Sequence, residues 1–253
     1  MGVGEKPSLE LAKKVLPAPL LKALRFLFAQ RLEGCMLVGG TALAGFYAGH
    51  RRSDDLDLFT EGGTSQTAAV LAARSLEGLG ARVDVRQDSG SYFRAHCALE
   101  GNGFTVDVSA APAAFRAGRF VALEGGLALA ELDLLLVLKG AALLSRCSEK
   151  DLYDLRWLLA RRPKMTIADL LAAAAAFDAG ADAENMLISL TGTGLDKESC
   201  GFGLKGASKE KIFREISHFK SALVRGLRAL AKNGPPSPIA DLVKRARRLK
   251  GDA

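Results

Sequence analysis

The chain has 253 residues, of which 49% are hydrophobic and 25% charged, and a formal net charge of +7. Such a chain can bury a sizeable core as one large domain or two modest ones. No apolar run approaches the ~20 residues of a bilayer span, and Met1 to Lys6 lack the basic start and apolar core of a secretory signal; no membrane partner is expected, and a cytoplasmic location is.

Residues 9–33 carry an apolar face of Leu9, Leu11, Val15, Leu20, Leu21, Leu24 and Leu27, which predicts a helix in two pieces divided by Pro17 and Pro19. Cys35 to Val38 reads as a short buried strand that stops at Gly39-Gly40, and Thr41 to Ala48 as a helix running to Gly49. Asp55 to Phe59 alternates carboxylate and apolar residues and reads as a second strand. Gly62 to Ser65 is a loop, and Gln66 to Leu79 an amphipathic helix closed by Gly80. Strands are predicted over Val83–Gln87, Tyr92–Leu99 and Phe104–Ser109, with a hairpin turn at 100–103, and a short one over Phe120–Leu123. The pattern then turns helical: Leu129–Leu144, Glu149–Leu159, Ile167–Ala176 and Glu184–Leu190, a glycine-rich connector from Gly192 to Gly206, Lys209–Ala231, and a basic helix Ile239–Leu249 after Pro235-Pro236. The fold class is α+β (α/β), a mixed sheet flanked by helices and followed by a helical C-terminal region, with natural halves 1–125 and 126–253.

Charge is unevenly distributed along the chain. From Lys205 to Lys250 there are 13 Lys or Arg against 3 Asp or Glu, a net +10, so the remainder of the chain carries −3. A basic C-terminal region suits a polyanion, although a solvated helix face explains the same residues. Cys35, Cys97, Cys147 and Cys200 are scattered, without CxxC spacing or histidines at ligand spacing, which points to free thiols rather than structural zinc.

Asp55 and Asp57 lie on one face of their strand. Two carboxylates side by side repel unless a cation sits between them. Mg²⁺ (or Mn²⁺) takes oxygen ligands and binds through one or two carboxylates plus substrate phosphates. Gly39 and Gly40, at the start of a helix, allow close approach of a triphosphate, because glycine has no Cβ and a helix N-terminus favours anions. Thr41 and Ser53 bring hydroxyls to the same region. Lys139, alone among apolar residues, either reaches phosphate or snorkels.

Leu37-Val38-Gly39-Gly40-Thr41-Ala42-Leu43, followed by Arg52-Ser53-Asp54-Asp55-Leu56-Asp57-Leu58-Phe59, closely resembles the signature of the DNA polymerase β-like nucleotidyltransferase superfamily. Within it, the Gly-Gly-Thr-Ala-Leu and His-Arg-x-Ser-x-Asp-Leu-Asp-Leu-Phe wording looks like the AbiEii/AbiGii toxin family, which includes the MenT toxins of toxin–antitoxin systems. The resemblance continues through Val106-Asp107-Val108, Lys139, Arg146 and Lys150-Asp151-Leu152-Tyr153-Asp154-Leu155 and covers roughly residues 35–160. It implies that Asp55, Asp57 and Asp107 are the metal-binding carboxylates, with Asp107 drawing the proton from the attacking hydroxyl. It also implies that Lys139 contacts phosphate, that Gly39, Gly40, Thr41, Arg52 and Ser53 shape the nucleotide pocket, and that Lys150 and Asp154 line its wall. Lys150 and Asp154 at i and i+4 are otherwise an ordinary helix-surface pair.

These implications converge on transfer of a nucleoside monophosphate from an NTP to an acceptor hydroxyl. The resemblance suggests a tRNA 3′ end as acceptor and a cognate antitoxin as partner. Transfer to a small molecule such as an antibiotic hydroxyl is the alternative within enzymes, and an RNA- or protein-binding module on the same fold is the alternative outside them.

Overall fold

The computed structural model describes residues 6–204, 206–234 and 236–248. Met1, Lys205, Pro235, Leu249 and Lys250, which bound several of the segments above, lie outside the described residues. The chain divides into two compact units, Met1–Leu135 and Leu136–Ala253.

The first unit opens with helices α1 (Leu9–Val15) and α2 (Ala18–Phe28). Pro17 lies between them, and Pro19 sits in the first turn of α2, where its missing N–H costs nothing. Seven strands follow: β1 (Cys35–Leu37), β2 (Asp55–Thr60), β3 (Arg82–Ser89), β4 (Tyr92–Leu99), β5 (Asn102–Ala110), β6 (Phe120–Ala122) and β7 (Ala128–Ala130). They form one mixed sheet in the order β3-β4-β5-β2-β1-β7-β6. Helices α3 (Thr64–Arg74), with a 3₁₀ turn at Ser75–Leu79, and α4 (Pro112–Ala117) complete the unit's connections.

Period-two alternation decides which face of the sheet is buried. Leu56 and Leu58 of β2 are buried, as are Val106 and Val108 of β5 and Phe93 and Ala95 of β4. Register aligns them in two rows, Leu56–Val106–Ala95 and Leu58–Val108–Phe93, against which α2 and α3 pack. Each such side chain contributes roughly 1.5–3 kcal/mol by leaving water. The opposite face of the same strands carries Asp55, Asp57, Asp107, Arg94 and Tyr92.

A two-residue hairpin, Glu100-Gly101, joins β4 to β5 with positive φ at both residues, 51° and 78°, as the twist of a tight hairpin requires. The strand pairing Leu99↔Asn102 therefore brings Asn102 and Gly103 into β5, shortening the turn expected at 100–103.

The apolar stretch after Gly126 is divided differently from its sequence reading. Ala128–Ala130 is strand β7, parallel to β1 at Leu37↔Leu129, and helix α5 begins only at Leu132 and runs to Ser145. A short, wholly buried strand and a buried helix share the same unbroken apolar pattern. Because β6 and β7 join the sheet, the first unit extends ten residues past the divide expected at 125.

In the second unit, α6 (Glu149–Ala160), α7 (Ile167–Ala175), α8 (Ala183–Gly192), α9 (Lys209–Ala231) and α10 (Ile239–Arg248) follow α5. Hydroxyl or carboxylate caps start most of them: Ser148 for α6, Thr166 in a capping box with Asp169 for α7, Asp182 for α8 and Ser208 for α9. The 23-residue α9 packs against α6, α7, α8 and α10 through Ile212, Ile216, Phe219, Leu223 and Leu227. The connector between α8 and α9 contains a 3₁₀ turn, Glu198–Cys200. Among the described residues no helix is long and apolar enough to cross a membrane, and all four cysteines are free and buried.

Candidate active site

β1 delivers the chain to Gly39, whose φ of +69° turns it sharply into a helical segment. Residues Thr41–Ala48 of that segment are π-helical, and Thr41 to Tyr47 are buried. π-Helical turns are rare and concentrate at functional sites. Gly49, in the left-handed conformation, ends the segment and donates to the Ala44 carbonyl at 2.9 Å.

Both glycines of the turn are required by what lies beside them. A Cβ on Gly39 would run into the Asp57 carboxylate, with Asp57 Cγ at 2.8 Å. A Cβ on Gly40 would meet the Arg51 guanidinium and lie 2.9 Å from Ser53 Oγ. The turn is sewn to β2 by the Val38 amide, which donates to the Asp57 carbonyl at 2.9 Å. Thr41 donates to the Asp55 carbonyl and lies 3.0 Å from the Ser53 hydroxyl. Thr41 and Ser53, expected as hydroxyl donors to phosphate, are buried and tie the turn to the start of β2. Arg52 is exposed, whereas Arg51 is only 2% exposed and donates to the Arg52 carbonyl at 2.7 Å.

Asp55 and Asp57 point to the same, partly open face of β2. Thr105 on the adjacent strand donates its hydroxyl to Asp55 Oδ1 at 2.6 Å, which fixes that carboxylate's rotation. Asp57 stands in register with Asp107 across the parallel β2–β5 pair, and Asp107 with Arg94 across the antiparallel β5–β4 pair. The resulting row reads carboxylate, carboxylate, guanidinium at strand spacing, ~5 Å per step. Arg94 grips Asp107 with two hydrogen bonds, Nε to Oδ1 and Nη2 to Oδ2, both 2.7 Å. Tyr92 adds its hydroxyl to Oδ1 at 3.2 Å. The hydrogen bond to Asp107 holds the Arg94 guanidinium even more firmly charged than usual. Partial burial, then the Asp107 charge, push the Tyr92 phenol above its ordinary range.

Two half-buried carboxylates on one strand face, beside a glycine turn that leaves room for one of them, suit a hard divalent cation with oxygen ligands completed by phosphate. Among the described residues no group of three or more His, Cys, Asp or Glu is disposed to hold a metal. The candidate donor set is the Asp55/Asp57 pair, while both oxygens of Asp107, expected as a third ligand, are bound by Arg94.

Lys139, Lys150 and Asp154 belong to the second unit. Lys139 is 6% exposed, and its ammonium lies 2.7 Å from Asp151 Oδ1 and 2.8 Å from Asp154 Oδ2. Asp151 also accepts from Arg146 Nε at 3.0 Å and from Ser148 Oγ at 2.6 Å. Burial alone would raise the Asp151 carboxyl, but Lys139, Arg146 and the two hydrogen bonds outweigh it and hold the group below its ordinary value. Asp154 is fully buried and Lys150 is exposed.

Several participants were not singled out from sequence: Arg51, Tyr92, Arg94 and Thr105. The hairpin does contain a signal for two of them. Counting outward from Glu100-Gly101 pairs Arg94 with Asp107, and the period-two pattern puts Tyr92 on the same face.

No protein-family model matches the sequence, and no curated protein matches it either. Solved structures do. MenT4, a nucleotidyltransferase toxin from Mycobacterium tuberculosis H37Rv, superposes with a TM-score of 0.52 at 16% identity, over 95% of this chain and 94% of MenT4. JHP933 from Helicobacter pylori superposes with a TM-score of 0.50 at 17% identity, over 86% of this chain and 97% of that one. These likenesses cover most of the chain, and the chain has the α+β nucleotidyltransferase fold with a helical C-terminal region.

Proposed function

We propose that the chain is a divalent-metal-dependent nucleotidyltransferase that moves a nucleoside monophosphate from an NTP to an acceptor hydroxyl. The observation that carries this reading is the placement of Asp55 and Asp57 on one face of β2, with the Asp57 carboxylate directly against Gly39. Asp55 and Asp57 are the residues that would hold Mg²⁺ or Mn²⁺; when bound, the ion offsets negative charge on the substrate phosphates.

Chain residues supply the rest. The glycine turn and the helix start behind it receive the triphosphate. The acceptor oxygen forms a bond to the α-phosphorus, the bond from that phosphorus to the bridging oxygen breaks, and pyrophosphate leaves. Asp107 takes the proton of the attacking hydroxyl, and Arg94 holds the Asp107 carboxylate in place until it does. Arg51, packed under Gly40, stiffens the turn and adds positive charge beneath it. The resemblance also gives Lys139 a phosphate contact and puts Lys150 and Asp154 at the pocket wall; we propose the phosphate contact for Lys139, with Asp151 and Asp154 holding its ammonium.

An RNA end, with tRNA as the first candidate, is the proposed acceptor. MenT4 is a nucleotidyltransferase toxin, and this chain's C-terminal region is basic. The same likeness motivates the proposal that the chain is the toxin of a pair with a cognate antitoxin. Incubation with each labelled NTP, Mg²⁺ and total RNA, comparing the wild type with Asp57→Ala, tests the reading. Label should enter RNA only with the wild type.

A further inference from the structure

α9 has a second, cationic face apart from the one that packs on its neighbours. Phe213, Ser217, Lys220, Ser221, Arg225 and Arg228 recur at helical spacing along it. With Leu190 and Thr191 of α8 they line an open groove of about 550 Å³ inside the second unit. The lining contains three cations and no carboxylate. Glu215, the acidic residue of this stretch of α9, turns away to pair with Arg156 at 3.1 Å.

Arg225 carries the sharper observation. Its Nη2 is shielded from solvent and has no hydrogen-bond partner among the described residues. A guanidinium donor left so is destabilising, and an acceptor-rich anion in the groove would satisfy it. Lys220, which already donates to the Thr193 carbonyl, is held at the groove wall rather than swinging free in solvent. From Lys220 to Arg228 the cations span ~12 Å of helix, long enough for more than one phosphate. Phe213, half-buried at the groove's other end, offers a ring face for a base. Phosphate contacts together with a stacking platform are the chemistry that grips single-stranded nucleic acid.

We infer that the α8–α9 groove is a binding site for single-stranded RNA, with Lys220, Arg225 and Arg228 on the phosphates and Phe213 against a base. This rests on the proposed RNA acceptor, and it places the contact on one helix face rather than on the basic region as a whole.

The test is fluorescence anisotropy of a labelled single-stranded RNA titrated with the full chain at several salt concentrations. Arg225→Ala/Arg228→Ala should weaken binding about tenfold or more and flatten the log K against log salt slope by about 1.4, at ~0.7 for each phosphate no longer neutralised. Phe213→Leu should weaken binding without changing the slope. The charge-matched control Lys14→Ala/Lys164→Ala, both exposed and outside the groove, should change affinity less than twofold, and no variant should melt appreciably below the wild type.

Equal weakening by the groove and control pairs would overturn the site. Displacement of RNA by low concentrations of pyrophosphate would make it a free-phosphate site, and loss of binding to anionic vesicles with RNA binding intact would make it a membrane contact; either overturns the RNA assignment. Because binding is read without turnover, an enzyme that labels RNA while the groove variants bind it normally sinks the groove alone. A chain that transfers nothing while the groove binds RNA sinks the proposed reaction alone.

Discussion

The Asp57 carboxylate occupies the space that a side chain on Gly39 would need. A turn on one element and a carboxylate on another are therefore set by a single steric condition. Gly39→Ala violates it twice, by pressing a methyl on Asp57 and by placing a Cβ at φ +69°. The backbone term alone is ~1–2 kcal/mol, which lowers Tm by about 2–8 °C for a chain of this size. Nucleotidyl transfer should fall about a hundredfold from the displaced carboxylate. Gly63 also has positive φ, but a Cβ there meets nothing within 4 Å. Gly63→Ala should lose comparable stability while keeping activity, which separates backbone strain from the collision.

Thr105 acts through Asp55. Its hydroxyl donates to Asp55 Oδ1 at 2.6 Å, so Thr105→Val keeps the β-branched shape of the strand and removes only the bond. Hydrogen-bond partners of metal ligands are commonly worth 10–100-fold in metal affinity. The half-saturating Mg²⁺ concentration for transfer should rise about tenfold or more, with a stability change of no more than about 1 kcal/mol. An unchanged metal dependence would remove Thr105 from the account.

Arg94 and a metal would compete for the same oxygens of Asp107. If Asp107 joins Asp55 and Asp57 around the ion, Arg94→Ala should lower the half-saturating Mg²⁺ concentration several-fold, with Arg94→Lys between the two because it cannot grip both oxygens in a fork. The Arg94 side chain is 46% exposed, so the loss of the ion pair should cost no more than about 1 kcal/mol. An identical metal titration in all three proteins would exclude Asp107 as a ligand and leave it as the proton acceptor.

The Lys139–Asp151–Asp154 cluster makes stability depend on pH. The folded-state value of Asp151 lies below the ordinary 3.8, so its contribution is fully present above about pH 4 and is lost as pH falls through the folded value. Asp151→Asn should destabilise the protein by about 3–5 kcal/mol near neutrality by leaving Lys139 short of a carboxylate. Melting curves from neutral pH down to about pH 2.5 should show the wild type and the variant converging at the acid end. A gap that stays constant with pH would contradict the charged state assigned to Asp151.

How much could be read in advance varied with the kind of signal. The alternation of Asp55 to Phe59 foretold a strand with both carboxylates on one face, and β2 has that burial pattern. α9 was legible to the residue because amphipathic spacing over 23 residues is hard to mistake. β7 was not, since Leu127 to Ala130 is apolar throughout and only its pairing with β1 distinguishes it from the helix that follows. α4, starting at Pro112, was missed because Ala111 to Ala114 has no face to show. The site divides in the same way. Gly39, Gly40, Asp55 and Asp57 announce themselves by local pattern, whereas Arg94 and Thr105 reach the carboxylates only through register, and Lys139 takes its partners from a different helix.

On the proposed function, nucleotidyl transfer depends on the Asp55/Asp57 pair. Asp57→Asn keeps the shape that fits against Gly39 and removes the charge, so its fold should match the wild type by thermal melting. The decisive measurement is release of pyrophosphate and entry of labelled nucleotide into RNA with Mg²⁺, compared between wild type and Asp57→Asn at equal folded concentration. Label should enter RNA with the wild type, not at all after chelation by EDTA, and about a hundredfold or more less with Asp57→Asn. Equal labelling by both proteins, or labelling indifferent to EDTA, would contradict the proposed function.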